Sequence, residues 1–417
     1  MKKFLGYRCS LCEQEYSPEG LLYICPKDGG NLDIVLDSAN LRGEHNPETV
    51  INTDENSLWR YLPLLPVRDP GFPNTPIHAA GWTPVYEPIG MGEKLGLRQL
   101  YVKDESRNPT ASFKDRASAV VVARAREINA DVIVTASTGN AGAALAGMAA
   151  SVGQKAVIFA PRSAPPAKIA QLLVFGAQVL LVDGTYDDAF DLSIQAAQEF
   201  GWYCRNTGYN PFTAEGKKTA AYEIWEWGTS RDEQRSSFKK NLSVFVSVGD
   251  GNIISGIHKG FKDLWALGWL EDMPRIFGVQ AEGSAAIANA FYANTEKITP
   301  VSANTLADSI SVDFPRDGVR GSRAAAQTDG SYITVSDTDI LKAIASLGKV
   351  GIFAEPAGAA SYAGLVKALV ESKIEYDDPV LVLNTGSGLK NITAALKATP
   401  EAPVIEPSLE AVKRMIK

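Results

Sequence analysis

Cysteine is scarce in this chain, with four in 417 residues. So few thiols cannot staple a domain of this length, which excludes a disulfide scaffold. Long hydrophobic runs are missing too. None approaches the roughly 20 apolar residues that span a bilayer, so no membrane segment is expected. Blocks of positive charge are absent, and the net charge of −7 argues against a nucleic-acid surface. The start, Met1-Lys2-Lys3-Phe4-Leu5-Gly6, is basic, but Arg8 and Cys9 interrupt what would be the apolar core of a signal peptide. Cytoplasmic residence is therefore expected. No internal repeat or low-complexity tract appears. What is present is ordinary globular composition, 45% apolar and 21% charged, in a chain long enough for two domains and a small module.

Three of the cysteines fall in one short stretch. Cys9-Ser-Leu-Cys12 followed by Cys25-Pro-Lys-Asp28-Gly-Gly30 has the form of a zinc ribbon with one ligand position altered. An aspartate can ligate zinc, but structural zinc sites are built almost entirely from Cys and His. The expectation is therefore a degenerate ribbon that keeps its shape without metal.

Residues 37 to about 76 read as a polar, proline-spaced connection anchored by Leu58-Trp59-Arg60-Tyr61. Beyond Leu97, apolar strands alternate with helical stretches. The near-continuous Val, Ile and Leu content of 131–137, 155–160, 178–183, 243–248, 276–281 and 380–384 suits buried parallel strands. Helices are expected at 141–151, 166–175, 186–200, 214–227, 253–267, 337–346 and 357–371. That alternation predicts an α/β fold. The charged stretch 231–240 reads as a surface loop.

Four loops carry chemistry. Asn108-Pro-Thr-Ala-Ser-Phe113 runs into Lys114-Asp115-Arg116 between a strand-like Leu100–Lys103 and a helical 116–127, which puts Lys114 at a helix N-terminus. A lysine held in a pocket that discourages protonation is what a Schiff-base enzyme needs. Ser137-Thr138-Gly139-Asn140-Ala141-Gly142 follows a strand and opens a helix, so its amides and hydroxyls suit an anion and its Asn140 a phenolic oxygen. Val248-Gly249-Asp250-Gly251-Asn252-Ile253 repeats that placement and suits a lone phosphate; its glycine spacing fails the dinucleotide pattern. Asn384-Thr385-Gly386-Ser387-Gly388-Leu389-Lys390 supplies hydroxyls that reach a heterocycle nitrogen. All four lie where parallel strands end, the ligand edge of an open α/β sheet. One amine, one phosphate cradle, one amide and one hydroxyl converge on one cofactor, pyridoxal 5′-phosphate.

These segments resemble the fold type II pyridoxal-phosphate enzymes, and most closely the threonine synthases. The resemblance runs through Ser57–Tyr61, Gly81–Pro84, Asn108–Arg116, Ala136–Asn140, Asn210–Thr219 and Thr385–Lys390. It implies two doubly wound parallel-sheet domains: a large one from 37–115 and 211–417 and a small mobile one from 116–210, with the ribbon-like module at 1–36. It implies a Schiff base on Lys114, Asn140 on the ring oxygen, and Gly249, Asp250, Gly251, Asn252 and Ile253 around the phosphate. Thr385 would face the ring nitrogen, which stays largely unprotonated and favours elimination and replacement over transamination. Ser137, Thr138 and Gly139 would hold a substrate carboxylate. No metal is assigned, and the partners are a small amino acid and a second copy of the chain.

The implied reaction converts O-phospho-homoserine and water to threonine and phosphate. Its competitors are an ammonia-lyase acting on threonine, serine or a diamino acid, a β-replacement enzyme such as a cysteate synthase, and a non-catalytic sensor. An intact Lys114 argues against the sensor. Ala141 stands where the family usually has threonine, and Thr213 where it has arginine; both positions help hold the substrate's phosphate. The phosphate loop is also one residue shorter. Lys217 or Lys218 would have to supply the missing charge; the competing reading places both on an exposed helix face. Glu215, Arg316, Arg320 and Arg323 are further candidates for the substrate side.

Overall fold

The computed structural model describes residues 4–37, 46–230 and 241–416. The expected loop at 231–240 lies outside them. In chain order the strands are β1 (Phe4–Cys9), β2 (Glu15–Tyr16), β3 (Leu32–Leu36), β4 (Val85–Tyr86), β5 (Leu100–Asp104), β6 (Val132–Ala136) and β7 (Lys155–Pro161). They continue as β8 (Gln178–Val182), β9 (Tyr203–Cys204), β10 (Ser243–Ser247), β11 (Arg275–Ala281), β12 (Ser331–Val335) and β13 (Val380–Asn384).

Three sheets result: an antiparallel β2-β1-β3, a six-stranded β12-β11-β10-β13-β5-β4 and a four-stranded β8-β7-β6-β9. The fold is α/β, as expected. The large sheet differs from a purely parallel one at its edge, where β4 runs antiparallel to β5. β10 and β13, Ser-Val-Phe-Val-Ser and Val-Leu-Val-Leu-Asn, are buried at every position and form its centre. β8 is only half-covered, as an edge strand should be. β12, Ser-Tyr-Ile-Thr-Val, was not expected, because its polar interruptions hide a buried parallel strand from a search for apolar runs.

The expected 214–227 helix is two helices, Phe212–Lys217 and Thr219–Ser230. Thr219 donates to the Gly216 carbonyl at 2.7 Å, and a hydroxyl bonding back in this way competes with the helix ladder. Gly216 itself lies against the Arg116 carbonyl, where a Cβ would sit 2.0 Å from the oxygen. That close approach clamps the Phe212–Lys217 helix onto the Lys114–Glu127 helix. Leu58, Trp59, Arg60 and Tyr61 are buried, so the expected anchor packs inward. No helix among the described residues is long and apolar enough to cross a membrane.

Candidate active site

Lys114 opens a 14-residue helix at the end of a turn that three backbone connections hold in place. Ala111 takes a left-handed φ of 63°, unusual for a residue with a Cβ, and its amide donates to the Asn108 carbonyl. Asp115 accepts from the Thr110 amide at 2.6 Å and from the Thr110 hydroxyl, closing the turn from the helix side. Phe113 donates its amide to the Thr385 carbonyl and Ser387 donates to the Ala111 carbonyl. Glu355 in turn donates its amide to the Gly386 carbonyl. The lysine turn, the Thr385–Gly388 loop and the Phe353–Glu355 segment are thus laced into one rigid wall.

Glu355 is the first residue that sequence reasoning missed. Its carboxylate is 1% exposed and accepts from Asn140 Nδ2 at 2.8 and 3.0 Å. Burial raises its pKa, against the lowering field of Lys114 and the Asn140 hydrogen bond. Lys114 is driven the other way: burial lowers its pKa, opposed by Glu355 and reinforced by Arg205. Its Nζ has no hydrogen-bond partner among the described residues. The Thr385 hydroxyl is likewise buried without a partner.

Arg205 is the second omission. It follows β9 directly, is wholly buried, and forms no ion pair among the described residues. Nε donates to Ser118 at 3.2 Å and Nη1 to Thr207 at 2.5 Å, while Nη2 has no partner. Burial brings its pKa down to about 10, so it remains a cation at neutral pH. A lone basic residue at a strand's end, five positions before Asn210-Pro211, was the available signal.

The exposed-face reading of Lys217 and Lys218 is wrong. Both are buried, at 1% and 0% exposure. Lys218 pairs with Glu215 at 2.6 Å and Asp263 at 2.8 Å, which assigns it and Glu215 to the interior scaffold. Lys217 donates to Asn252 Oδ1 at 2.6 Å and has no ion pair among the described residues. Burial, with Arg205 and Lys114 nearby, lowers its pKa far below the usual lysine value. Arg320 is held by Asp317 and Asp33, and Arg323 by Glu296, so neither is free for a substrate. Arg316 pairs with Asp187 at 3.4 Å at the rim.

The Gly249–Ile253 loop ends at the N-terminus of the Asn252–Leu267 helix, whose first-turn amides have no intrahelical acceptors. Gly251, at φ 93°, lies so close to Asp317 that a Cβ would sit 2.4 Å from its carbonyl oxygen. Asp250 Oδ1 accepts from the Arg316 amide at 2.7 Å, Oδ2 is buried without a partner, and burial lifts the pKa to about 6. Ser137, Thr138 and Gly139 form a half-buried lip opposite, where the Asn206 carboxamide accepts from the Ala136 amide. Thr138, Asn140, Lys168, Asp308, Glu355 and Lys390 line a cavity of about 100 Å³. A larger cleft of about 710 Å³ lies between the ribbon and the Asn252–Leu267 and Gly318–Ala326 helices, but none of these reactive groups lines it.

The donor set fits pyridoxal 5′-phosphate: a low-pKa amine, a partnerless hydroxyl on the adjoining loop, a carboxamide, and open amides at a helix start beside a buried lysine.

Comparison with known proteins agrees. Residues 77–386 match the pyridoxal-phosphate dependent enzyme family. Threonine synthase of Methanocaldococcus jannaschii is 36% identical over 98% of this chain and 99% of its own length. That of Methanosarcina acetivorans is 34% identical over 98% of each. Among solved structures, processed threonine deaminase isoform 2 from Solanum lycopersicum superposes with a TM-score of 0.66 at 22% identity, covering 83% of this chain and 88% of that one. Maize serine racemase gives 0.63 at 22%, covering 76% and 91%. At such identities these last two speak for the fold alone.

Proposed function

The chain belongs to the threonine synthase family of pyridoxal-phosphate-dependent enzymes, and we propose that it converts O-phospho-homoserine and water to threonine and phosphate through the residues gathered around Lys114. When bound, the cofactor supplies the electron sink that makes protons on the substrate carbons labile. Lys114 would carry it, with Asn140 on its ring oxygen, Thr385 at its ring nitrogen and Gly249–Ile253 around its phosphate.

The Lys114 amine is then the group placed to move protons at Cα, Cβ and Cγ, and its lowered pKa suits both giving and taking them. Ser137, Thr138 and Gly139 hold the substrate carboxylate. Arg205 and Lys217 take the leaving phosphate. They stand in for the arginine and threonine that Thr213 and Ala141 replace. The observation that carries this assignment is their burial without an ion pair among the described residues: two basic groups kept from water beside Lys114 are stabilised in their charged forms by a dianion. The unit 116–210 would close over the substrate through the Lys168–Asp308 ion pair and the Lys390–Gln171 hydrogen bond at 3.1 Å, excluding water. A cytoplasmic homodimer completes the reading.

Measuring phosphate and ammonia release from a small amino-acid panel tests it. Phosphate from O-phospho-homoserine is expected. Ammonia from threonine or a diamino acid, with no phosphate release, would establish a lyase instead.

A further inference from the structure

The ribbon at the N-terminus holds four donor atoms in one place. Cys9, Cys12 and Cys25 Sγ and an Asp28 carboxylate oxygen all lie within 4.8 Å of one another. Cys12 and Cys25 sulfurs are 3.8 Å apart, and Cys9 Sγ is 3.3 and 3.6 Å from the two Asp28 oxygens. Bonds of about 2.3 Å to sulfur and 2.0–2.2 Å to oxygen around one tetrahedral zinc require edges of roughly 3.8 Å between sulfurs and 3.5 Å between sulfur and oxygen. The observed separations match both edges. A disulfide does not account for them, since all the cysteines are free thiols.

The backbone is arranged to the same end. The Leu11 amide donates to the Cys9 sulfur at 3.3 Å, two residues on in its knuckle. Such hydrogen bonds stabilise thiolates. The Gly30 amide orients Asp28 Oδ1 at 2.9 Å. A Cβ at Gly30 would lie 2.8 Å from Cys9 Sγ and 3.0 Å from Asp28 Oδ1, so only glycine allows the two to converge.

We propose that Cys9, Cys12, Cys25 and Asp28 bind one structural zinc ion, reversing the composition-based expectation of a metal-free ribbon. All four protein positions of the tetrahedron are then taken, which makes the site structural. Its consequence reaches the active site. Asn31, on the same ribbon, donates to the carbonyls of Gly208 at 2.6 Å and Arg316 at 3.1 Å, and Arg323 donates to the Ser10 carbonyl. Gly208 and Arg316 flank Asp250 of the phosphate loop. The zinc thus holds the ribbon that ties the two sheet-bearing parts of the chain together near that loop.

The test is metal analysis of the full-length holoenzyme, purified reduced and equilibrated with zinc, together with cobalt(II) exchange. One zinc per chain is expected, and cobalt should give the intense thiolate-to-metal absorption of a tetrahedral sulfur site. Asp28→Cys should keep full occupancy and resist chelators longer than wild type. Cys12→Ser should lose the metal, and chelation of wild type should lower Tm while the cofactor absorbance remains. Should a serine variant fail to fold, the cobalt spectrum of wild type still decides. Less than a tenth of a metal per chain, a spectrum without thiolate bands, or a Cys12–Cys25 disulfide in the untreated enzyme would each overturn the proposal.

Discussion

Lys114 and Arg116 are two residues apart on one helix, yet they belong to opposite kinds of buried charge. Arg116 is enclosed by Glu105 and Glu223: Nε and Nη2 reach Glu105 at 2.7 and 2.8 Å, and Nη2 and Nη1 reach Glu223. Lys103 joins Glu223 at 2.7 Å, and the Thr83 and Thr219 hydroxyls complete the set. Burial opposes charge there, but the carboxylates outweigh it and raise the Arg116 pKa. Around Lys114 the balance is reversed. Arg205 and Lys217 have no carboxylate in ion-pair reach among the described residues, and burial lowers the pKa of all three cations. A saturated cluster serves the scaffold. An unsaturated one is what a bound anion would complete.

The comparison is broken most directly at Lys114. Lys114→Ala should lower kcat/KM by about 10³-fold or more while leaving Tm nearly unchanged, because the role proposed for the side chain is proton transfer rather than packing. Borohydride reduction should fix the cofactor on the peptide containing Phe113-Lys114-Asp115; an adduct on Lys103 or Lys390 would refute the assignment.

Glu223→Ala attacks the saturated cluster instead. It strands Lys103 and leaves Arg116 with Glu105 alone, and should destabilise the fold by about 3–5 kcal/mol, as for other broken buried pairs. Denaturant unfolding measures this, and the surviving folded enzyme should keep a near-normal KM.

Lys217→Ala should raise KM for the phosphorylated substrate more than roughly tenfold, matching a charged hydrogen bond of ~1.5–3 kcal/mol, with little change in stability. Steady-state kinetics checks it; an unchanged KM would remove Lys217 from the phosphate site. The same lysine gives a pH signature. Its folded pKa is depressed, so the cofactor-free fold holds fewer protons than the unfolded chain and gains stability as pH rises toward the ordinary lysine value. An anion restores the charged form, so phosphate binding should take up protons. Calorimetry in buffers of different ionisation enthalpy reads the sign; proton release would contradict it.

The smallest effect belongs to the rim. Lys168 and Asp308 are partly exposed, at 26% and 41%, and such pairs contribute about 0.2–1 kcal/mol. Lys168→Ala should therefore change KM by no more than about fivefold. Structures with and without ligand should differ by a movement of 116–210; superposition as one rigid body would argue against closure.

Much of this was legible in the linear chain. Buried parallel strands such as Val380–Asn384 announce themselves by composition, and turns such as Asn108–Phe113 by residue type. Because strand ends and turn chemistry are local, the four ligand loops can be read without coordinates. Arg205 offered only the weak signal of a lone basic residue before Asn210-Pro211, and Glu355 offered none. Nothing near Glu355 in sequence distinguishes a buried charge from a solvated one.

By itself, then, the sequence determined the α/β alternation, the four loops at the strand ends and the cofactor they suit, since each depends on neighbours a few residues apart. Tertiary structure alone decided which charges are neutralised. Arg116 meets Glu223 across 107 residues and Asn140 meets Glu355 across 215. Lys217 and Lys218 are adjacent, yet only Lys218 finds carboxylates. Burial and pairing are properties of contacts between distant segments, and the free energy of a buried charge is set by what those segments bring to it.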